Sequence, residues 1–266
     1  MRQDMKTHCP VVIFCGGLGS RMGSMTDWVP KPMLRVGNRP ILWHIMKIYD
    51  TYGFDEFVLT AGYKSNVIKD YFVNYVAYNH SVSVETRSGG VSLMADAAIE
   101  DWTVHIVETG THTLKGDRLA KIRPFIDSGR FMLTYGDGVA DIDILDLLDY
   151  HDSHDAPGTI TGVNPPSRFG ELQLRGDRVV SFSEKPQTSE GIINGGYMIF
   201  DEDIFAYVEA DDGGDFEIGP LEQLAADGGL RMYQHGGQWE CADNQRDLDH
   251  LNDLWSNGEA FWKVWE

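Results

Sequence analysis

Basic residues are the scarce class in this chain: 22 Lys and Arg face 41 Asp and Glu, a formal net charge of −19. A surface this acidic repels nucleic acid and anionic lipid, and no Lys/Arg cluster stands against it, so neither nucleic acid nor a membrane is an expected partner. An anionic small molecule must then be held by a few cations, a metal ion or backbone N–H groups. Cysteine is scarcer still. Cys9, Cys15 and Cys241 are far apart and form no CxxC pair, which excludes a disulfide framework and a cysteine-rich zinc site. Long apolar runs are missing as well, none nearing the roughly 20 residues that cross a bilayer. The opening MRQDMKTHCP carries no apolar stretch of a signal peptide, so the expected location is the cytoplasm.

What is present is an ordinary core, with 42% hydrophobic residues in a chain of 266, enough for one compact unit. Strand-like runs alternate with helix-like ones in the first half. VVIFC (11–15), EFVLTAG (56–62), VSVET (82–86), TVHIVETG (103–110) and FMLTYGDG (131–138) read as strands. PILWHIMKIYDTYG (40–53) and NVIKDYFVNYV (66–76) read as helices, and RLAKIRPFI (118–126) as a helix that its late proline ends or kinks. This alternation predicts a mostly parallel central sheet with helices on both faces. From about 157 the texture changes: GTITGV, GELQL, RVVSFSE and GGYMIF, separated by Gly/Pro turns, predict a smaller mixed β-sheet region. The expected division is a core at 1–156, a second part at 157–240 and a C-terminal helical segment at 241–266. The tryptophans of that segment read as core or subunit contacts. His44, on an apolar helix face, reads as a core histidine, whereas His151 and His154 in HDSHD read as solvated rather than as a metal site. No GxSxG elbow supports a nucleophilic serine.

Chemistry concentrates in VVIFCGGLGSRM (11–22), a strand that stops in three glycines. A strand, a glycine-rich turn and a helix start place several backbone N–H groups in one concavity, suited to phosphate. It is neither GxGxxG, since Met22 stands where glycine is needed, nor a P-loop, since no Lys follows at that spacing. DWVPKPML (27–34) then holds Lys31 between Pro30 and Pro32, whose fixed φ stiffens the backbone that presents the cation.

Taken together, GGLGSR and PKPM resemble the signature of the sugar-1-phosphate nucleotidylyltransferases, and residues 40–72 resemble the branch that joins CTP to glucose 1-phosphate. TYGDGVAD (134–141), PPSRFGELQL (165–174), SFSEKP (181–186), INGGYMIF (193–200) and RDLDHLNDLW (246–255) agree in order, so the resemblance covers nearly the whole chain. It implies a Rossmann-like nucleotidyltransferase fold, a Mg²⁺ cofactor, CTP and glucose 1-phosphate as substrates, and a homo-oligomer. On that likeness Cys15, Gly16, Gly17, Leu18, Gly19, Ser20, Arg21, Lys31, Arg118 and Gly136 would meet the nucleotide. Arg21 would grip the departing pyrophosphate and Lys31 the α-phosphate, while Asp137 and Asp243 would hold the metal. Arg21, Lys31 and Asp137 would be the catalytic residues. Glu184, Lys185, Asn194 and Gly195 would take the sugar phosphate.

The chain departs from the family in one segment that bears on specificity. Where the family reads TGGR, Lys115, Gly116, Asp117 and Arg118 stand here. Asp117 adds bulk and negative charge beside a bound nucleotide or sugar, which marks it as the first residue to test. Two alternatives therefore stay open: transfer with another nucleotide or phosphate acceptor, and a non-catalytic sugar-nucleotide-binding regulatory domain. Retention of Arg21, Lys31, Asp137, Lys185 and Asp243 argues against the second.

Overall fold

The computed structural model describes residues 9–94, 99–165, 171–175, 178–183, 191–210 and 214–266. Its centre is a seven-stranded sheet formed by β1 (Val11–Phe14), β2 (Glu56–Ala61), β3 (Thr103–Glu108), β4 (Arg130–Tyr135), β5 (Gly158–Val163), β6 (Ile193–Asp201) and β7 (Leu230–Gln234), in the order β7-β5-β6-β4-β1-β2-β3. Only β6 runs against its neighbours, pairing antiparallel with both β4 and β5. β1 is buried on both faces, as its unbroken β-branched and aromatic run requires. Val11 and Ile13 point into one layer with α1 (Ile41–Thr51), and Val12 and Phe14 into the other with α4 (Lys115–Ile122), α6 (Ile204–Ala210) and α7 (Pro220–Ala226).

The register fixes where the loops meet. Phe14 lies level with Thr60 on β2 and Tyr135 on β4. The turns that follow all three strands therefore open on one edge of the sheet, where open α/β sheets bind their ligands.

Two local expectations change for identifiable reasons. The helix expected over 66–76 splits into α2 (Ser65–Val73) and α3 (Tyr75–Asn79). At the break the Asn74 amide donates to the Asp70 carbonyl, 3.0 Å, in competition with the helical ladder. The helix expected over 118–126 starts earlier, at Lys115, and gives way before Pro124 to a single 3-10 turn at Arg123–Phe125.

The second half differs more. GTITGV and GGYMIF extend the central sheet as β5 and β6, whereas Glu171–Arg175 and Arg178–Ser183 form a separate two-stranded antiparallel ribbon. Next to β5, His151 is not solvated. It is buried at the end of α5 (Ile144–Asp152), its Nδ1 2.7 Å from the Thr159 hydroxyl, and His154 Nε2 meets the same oxygen at 2.9 Å. Both histidines are structural, fastening α5 to β5. The C-terminal tryptophans are core: Trp262 is fully buried and, with Trp255 and Trp265, packs on His44. Among the described residues no helix is long and apolar enough to cross a membrane.

Candidate active site

A cavity of about 310 Å³ opens at the loop edge of β1 and β4. Its floor is the turn after β1, with Cys15, Gly16, Gly17 and Gly19 in the lining; Lys31, Pro32, Gly136 and Asp137 form one side, and Thr113, Leu114, Lys115, Arg118, Tyr135 and Asp215 another. Gly19 adopts φ 64°, a left-handed conformation that glycine enters without strain. Gly16 is glycine for a different reason. A Cβ there would stand 1.9 Å from Arg118 Nη1, because the guanidinium passes directly beneath the turn.

Arg118 braces that turn. It donates to the Gly16 carbonyl at 2.9 Å and to the Thr109 hydroxyl, which itself donates to the Ala61 carbonyl at 2.7 Å. These partners and the Thr111 carbonyl are neutral oxygens, and burial depresses the Arg118 pKa. A buried guanidinium remains charged, so Arg118 contributes positive potential to the loop side of the cavity. Cys15 contributes no nucleophile: burial, with Asp137 nearby, pushes its thiol well above the usual range.

Lys31 is the centre of the opposite side. It begins a 3-10 turn (Lys31–Met33) set by Pro30 and Pro32, and Pro32 packs so closely on Gly136 that a Cβ on that glycine would lie 2.8 Å from Pro32 Cγ. The contact sets Lys31 beside Asp137, in the turn after β4. Asp243 arrives from the far end of the chain through a short antiparallel ladder, in which Trp239–Cys241 pairs with Gly138–Ala140, and the Ala242 N–H donates to the Asp137 carbonyl at 2.9 Å. Lys31 Nζ donates to Asp137 Oδ2 and, at 2.7 Å, to Asp243 Oδ1. Burial alone would lower the lysine pKa, but the two carboxylates outweigh it and hold the pKa above the ordinary value.

Two carboxylates converging on one ammonium mark a spot already built for positive charge. Among the described residues no group of three or more His, Cys, Asp and Glu forms a metal cage. A pair is what Mg²⁺ takes when phosphate oxygens and water complete its octahedron, so the donor set fits that ion.

Other expected residues are either off this lining or outside the described residues. Leu18 is exposed and, with Ser20, is outside the cavity lining. The side chain of Arg21 lies outside the described residues, as do Glu184 and Lys185. Asn194 and Gly195 are on β6, off the lining; Asn194 Oδ1 accepts from the Gly196 N–H at 2.9 Å and the Gly195 carbonyl from Trp239 Nε1 at 2.8 Å. Asp117 does not line the cavity, whereas Lys115, from the same departing segment, does. Tyr135, Asp215 and Thr109 carried no signal in the sequence, because each acquires its position only through long-range packing.

The decisive comparison is with family sequences: a model described as nucleotidyl transferase matches residues 10–256. The chain belongs to that family. Among similar nucleotidyltransferases, the probable glucose-1-phosphate cytidylyltransferase of Bacillus subtilis is 41% identical over 254 residues, covering 96% of this chain and 99% of the relative. Glucose-1-phosphate cytidylyltransferase of Salmonella typhimurium is 40% identical over 256 residues, with coverage of 96% and 99%. Among solved structures, HddC from Yersinia pseudotuberculosis superposes with a TM-score of 0.65 at 22% identity, covering 93% of this chain and 99% of that one. A UDP-glucose pyrophosphorylase complexed with UDP-glucose gives 0.66 at 14% identity, over 94% and 99%. These last two establish the fold, a mostly parallel sheet of the nucleotidyltransferase type.

Proposed function

We propose that this nucleotidyltransferase joins CTP and α-D-glucose 1-phosphate to form CDP-glucose and pyrophosphate. The observation that carries the reading is Lys31 held between Asp137 and Asp243 at the mouth of a glycine-rich turn. The relatives at 40% identity over their full length supply the choice of substrates.

In this reading the turn Gly16–Gly19 offers backbone N–H groups to the triphosphate, with Arg118 holding the turn in shape. A phosphate oxygen of the sugar phosphate attacks the α-phosphorus in line; one P–O bond forms, the bond to pyrophosphate breaks, and its electron pair leaves with the pyrophosphate. Lys31 moves its hydrogen bonds from the two carboxylates to the α-phosphate as charge develops there. Asp137 and Asp243 would hold Mg²⁺, which would supply charge neutralisation for the phosphates. In this reading residues 1–156 supply the glycine turn, Lys31 and Asp137, 157–240 the residues expected at the sugar phosphate, and 241–266 bring in Asp243.

Pyrophosphate release tests this, with Mg²⁺ and CTP, UTP, dTTP, ATP or GTP crossed against a panel of hexose 1-phosphates. Release with CTP and glucose 1-phosphate in preference to every other pair is expected. Release with a different pair moves the specificity and keeps the mechanism. Folded protein that releases nothing across the panel overturns the reading.

A further inference from the structure

The wall of the cavity away from the glycine turn carries a charged cluster with no part in the chemistry above. Lys115, in the first turn of α4, pairs with Glu217 at 2.5 Å and Asp215 at 3.3 Å. The Tyr135 hydroxyl donates to Glu217 Oε1 at 2.5 Å, and the Lys115 ammonium lies 5.7 Å from the centroid of the Tyr135 ring. Burial raises the Glu217 carboxyl above its usual range, while its hydrogen bond to Asp215 holds that carboxyl below. Lys115 and Asp215 both line the cavity.

Three features define what this wall can recognise. First, α4 divides the cavity: Arg118 reaches the glycine turn and Lys115, one turn earlier, reaches Tyr135 and Glu217. Second, the Tyr135 ring lies against Gly196, where a Cβ would be 2.6 Å from Tyr135 Cδ2. That joins the cluster to the Asn194–Gly196 strand as well as to the phosphate turn, beside which the Tyr135 ring packs on Phe14 with ring centroids 6.0 Å apart. Third, Lys115 is neutralised by two carboxylates, so this wall attracts no further anion. It presents an ammonium donor beside carboxylate acceptors, a pairing that suits hydroxyls, which both donate and accept.

We propose that Lys115 and Asp215 are specificity-determining residues that read the hydroxyl groups of the sugar acceptor, with Glu217 and Tyr135 as positioning residues that hold Lys115 in place. The inference rests on the reading of this chain as a sugar-1-phosphate nucleotidylyltransferase. It also replaces Asp117 with Lys115 as the consequential change in the departing segment.

Steady-state kinetics on the full chain separates the two. Lys115→Met keeps the aliphatic stem and removes the donor; Asp215→Asn keeps the shape and removes the charge. With wild type active, each variant should raise the KM for glucose 1-phosphate by about tenfold, the size of a lost buried hydrogen bond to a substrate hydroxyl. The KM for CTP should stay within about twofold, and the preference for glucose 1-phosphate over galactose and mannose 1-phosphates should narrow. Tyr135→Phe should shift the same ratio in the same direction by a smaller factor. Lys115→Arg, which keeps a cation on the carboxylates, should restore part of the preference. Thermal melts establish that each variant is folded, and any that is not is replaced in the comparison by Tyr135→Phe. A changed nucleotide preference assigns the wall to the base and overturns the proposal. Unchanged KM values with a lowered melting point also overturn it, by reducing the cluster to a tie between α4 and residues 214–219. Wild type silent with every hexose 1-phosphate overturns the enzyme reading and this inference with it.

Discussion

Lys31 and His44 are both basic side chains taken out of water, and the protein treats them in opposite ways. Lys31 lies at the cavity edge between Asp137 and Asp243, which hold its pKa above the ordinary value. His44 is fully buried on α1, with Trp43, Trp255, Trp262 and Trp265 around it. Its Nε2 meets the Val36 carbonyl at 3.0 Å and its Nδ1 accepts from Trp262 Nε1 at 3.3 Å, an arrangement that only the neutral ring satisfies. Burial drives its pKa from 6.5 to about 4. The difference lies in the partners. Carboxylates preserve a buried charge, whereas rings and a carbonyl suppress it and leave a structural side chain.

The comparison is broken most severely by removing the charge where it is kept. Lys31→Met leaves Asp137 and Asp243 without their shared cation, and it takes from the transition state a donor aimed at developing charge. Turnover in the pyrophosphate assay should fall by about 10²–10³, with circular dichroism unchanged. Asp137→Asn should cost turnover to a similar degree. Activity within about tenfold of wild type in either variant would remove Lys31 and Asp137 from the chemistry.

The second test forces a charge where it is refused. His44 has a depressed folded pKa, so the unfolded chain takes up a proton as pH falls below 6.5 while the folded chain stays neutral until about 4. Stability contributed by the neutral ring is therefore fully present above pH 6.5 and lost on acidification between 6.5 and 4. By pH 5 the loss is about 2 kcal/mol. Denaturant titrations at pH 7 and pH 5 measure it. His44→Gln, which keeps a donor for Val36 but cannot be protonated, should show a pH 7-to-5 difference smaller by about that amount. An equal difference in both proteins would mean that His44 is protonated in the fold.

The same contrast explains what could be read in advance. His44 was legible as core because its own helix, ILWHIMKIYDT, is apolar on nearly every side, and β1 was legible because VVIF followed by glycines is a buried strand with an abrupt end. His151 was misjudged because its neighbours in sequence are acidic and polar, while the groups that bury it, Thr159 and Asp201, come from β5 and β6. β5 and β6 were grouped with the small sheet for a related reason. A short glycine-containing strand looks the same whether it pairs with a hairpin neighbour or, as β6 does, with β4. At the active site, the glycine turn and Lys31 were visible in local backbone chemistry. The convergence of Asp137 with Asp243 was accessible only through resemblance, because the ladder between Gly138–Ala140 and Trp239–Cys241 is a product of folding. Asp215 and Glu217 were two acids among 41, and nothing in their spacing tied them to Lys115.

The mildest test concerns how Asp243 is kept facing Lys31. Asp243 stands immediately before α8 (Gln245–Ser256), whose N-cap Asn244 accepts from the Asp247 N–H at 3.2 Å. The Asp247 carboxylate in turn accepts from the Asn244 N–H at 3.1 Å and the Asp243 N–H at 3.0 Å. This reciprocal box satisfies backbone donors that the first helical turn leaves open, and it pins the backbone of Asp243. Asn244→Ala removes one half and should cost about 1 kcal/mol, read as a melting point lower by about 2–4 °C. Asp243 keeps its bond to Asp247 in that variant, so turnover should fall by only about twofold, a small fraction of the Lys31→Met effect. A turnover loss approaching the Lys31→Met value, with the melting point unmoved, would show that the cap acts on the chemistry rather than on the fold. Asp243 would then owe its position to Asn244 and not to the ladder that carries it across the sheet edge.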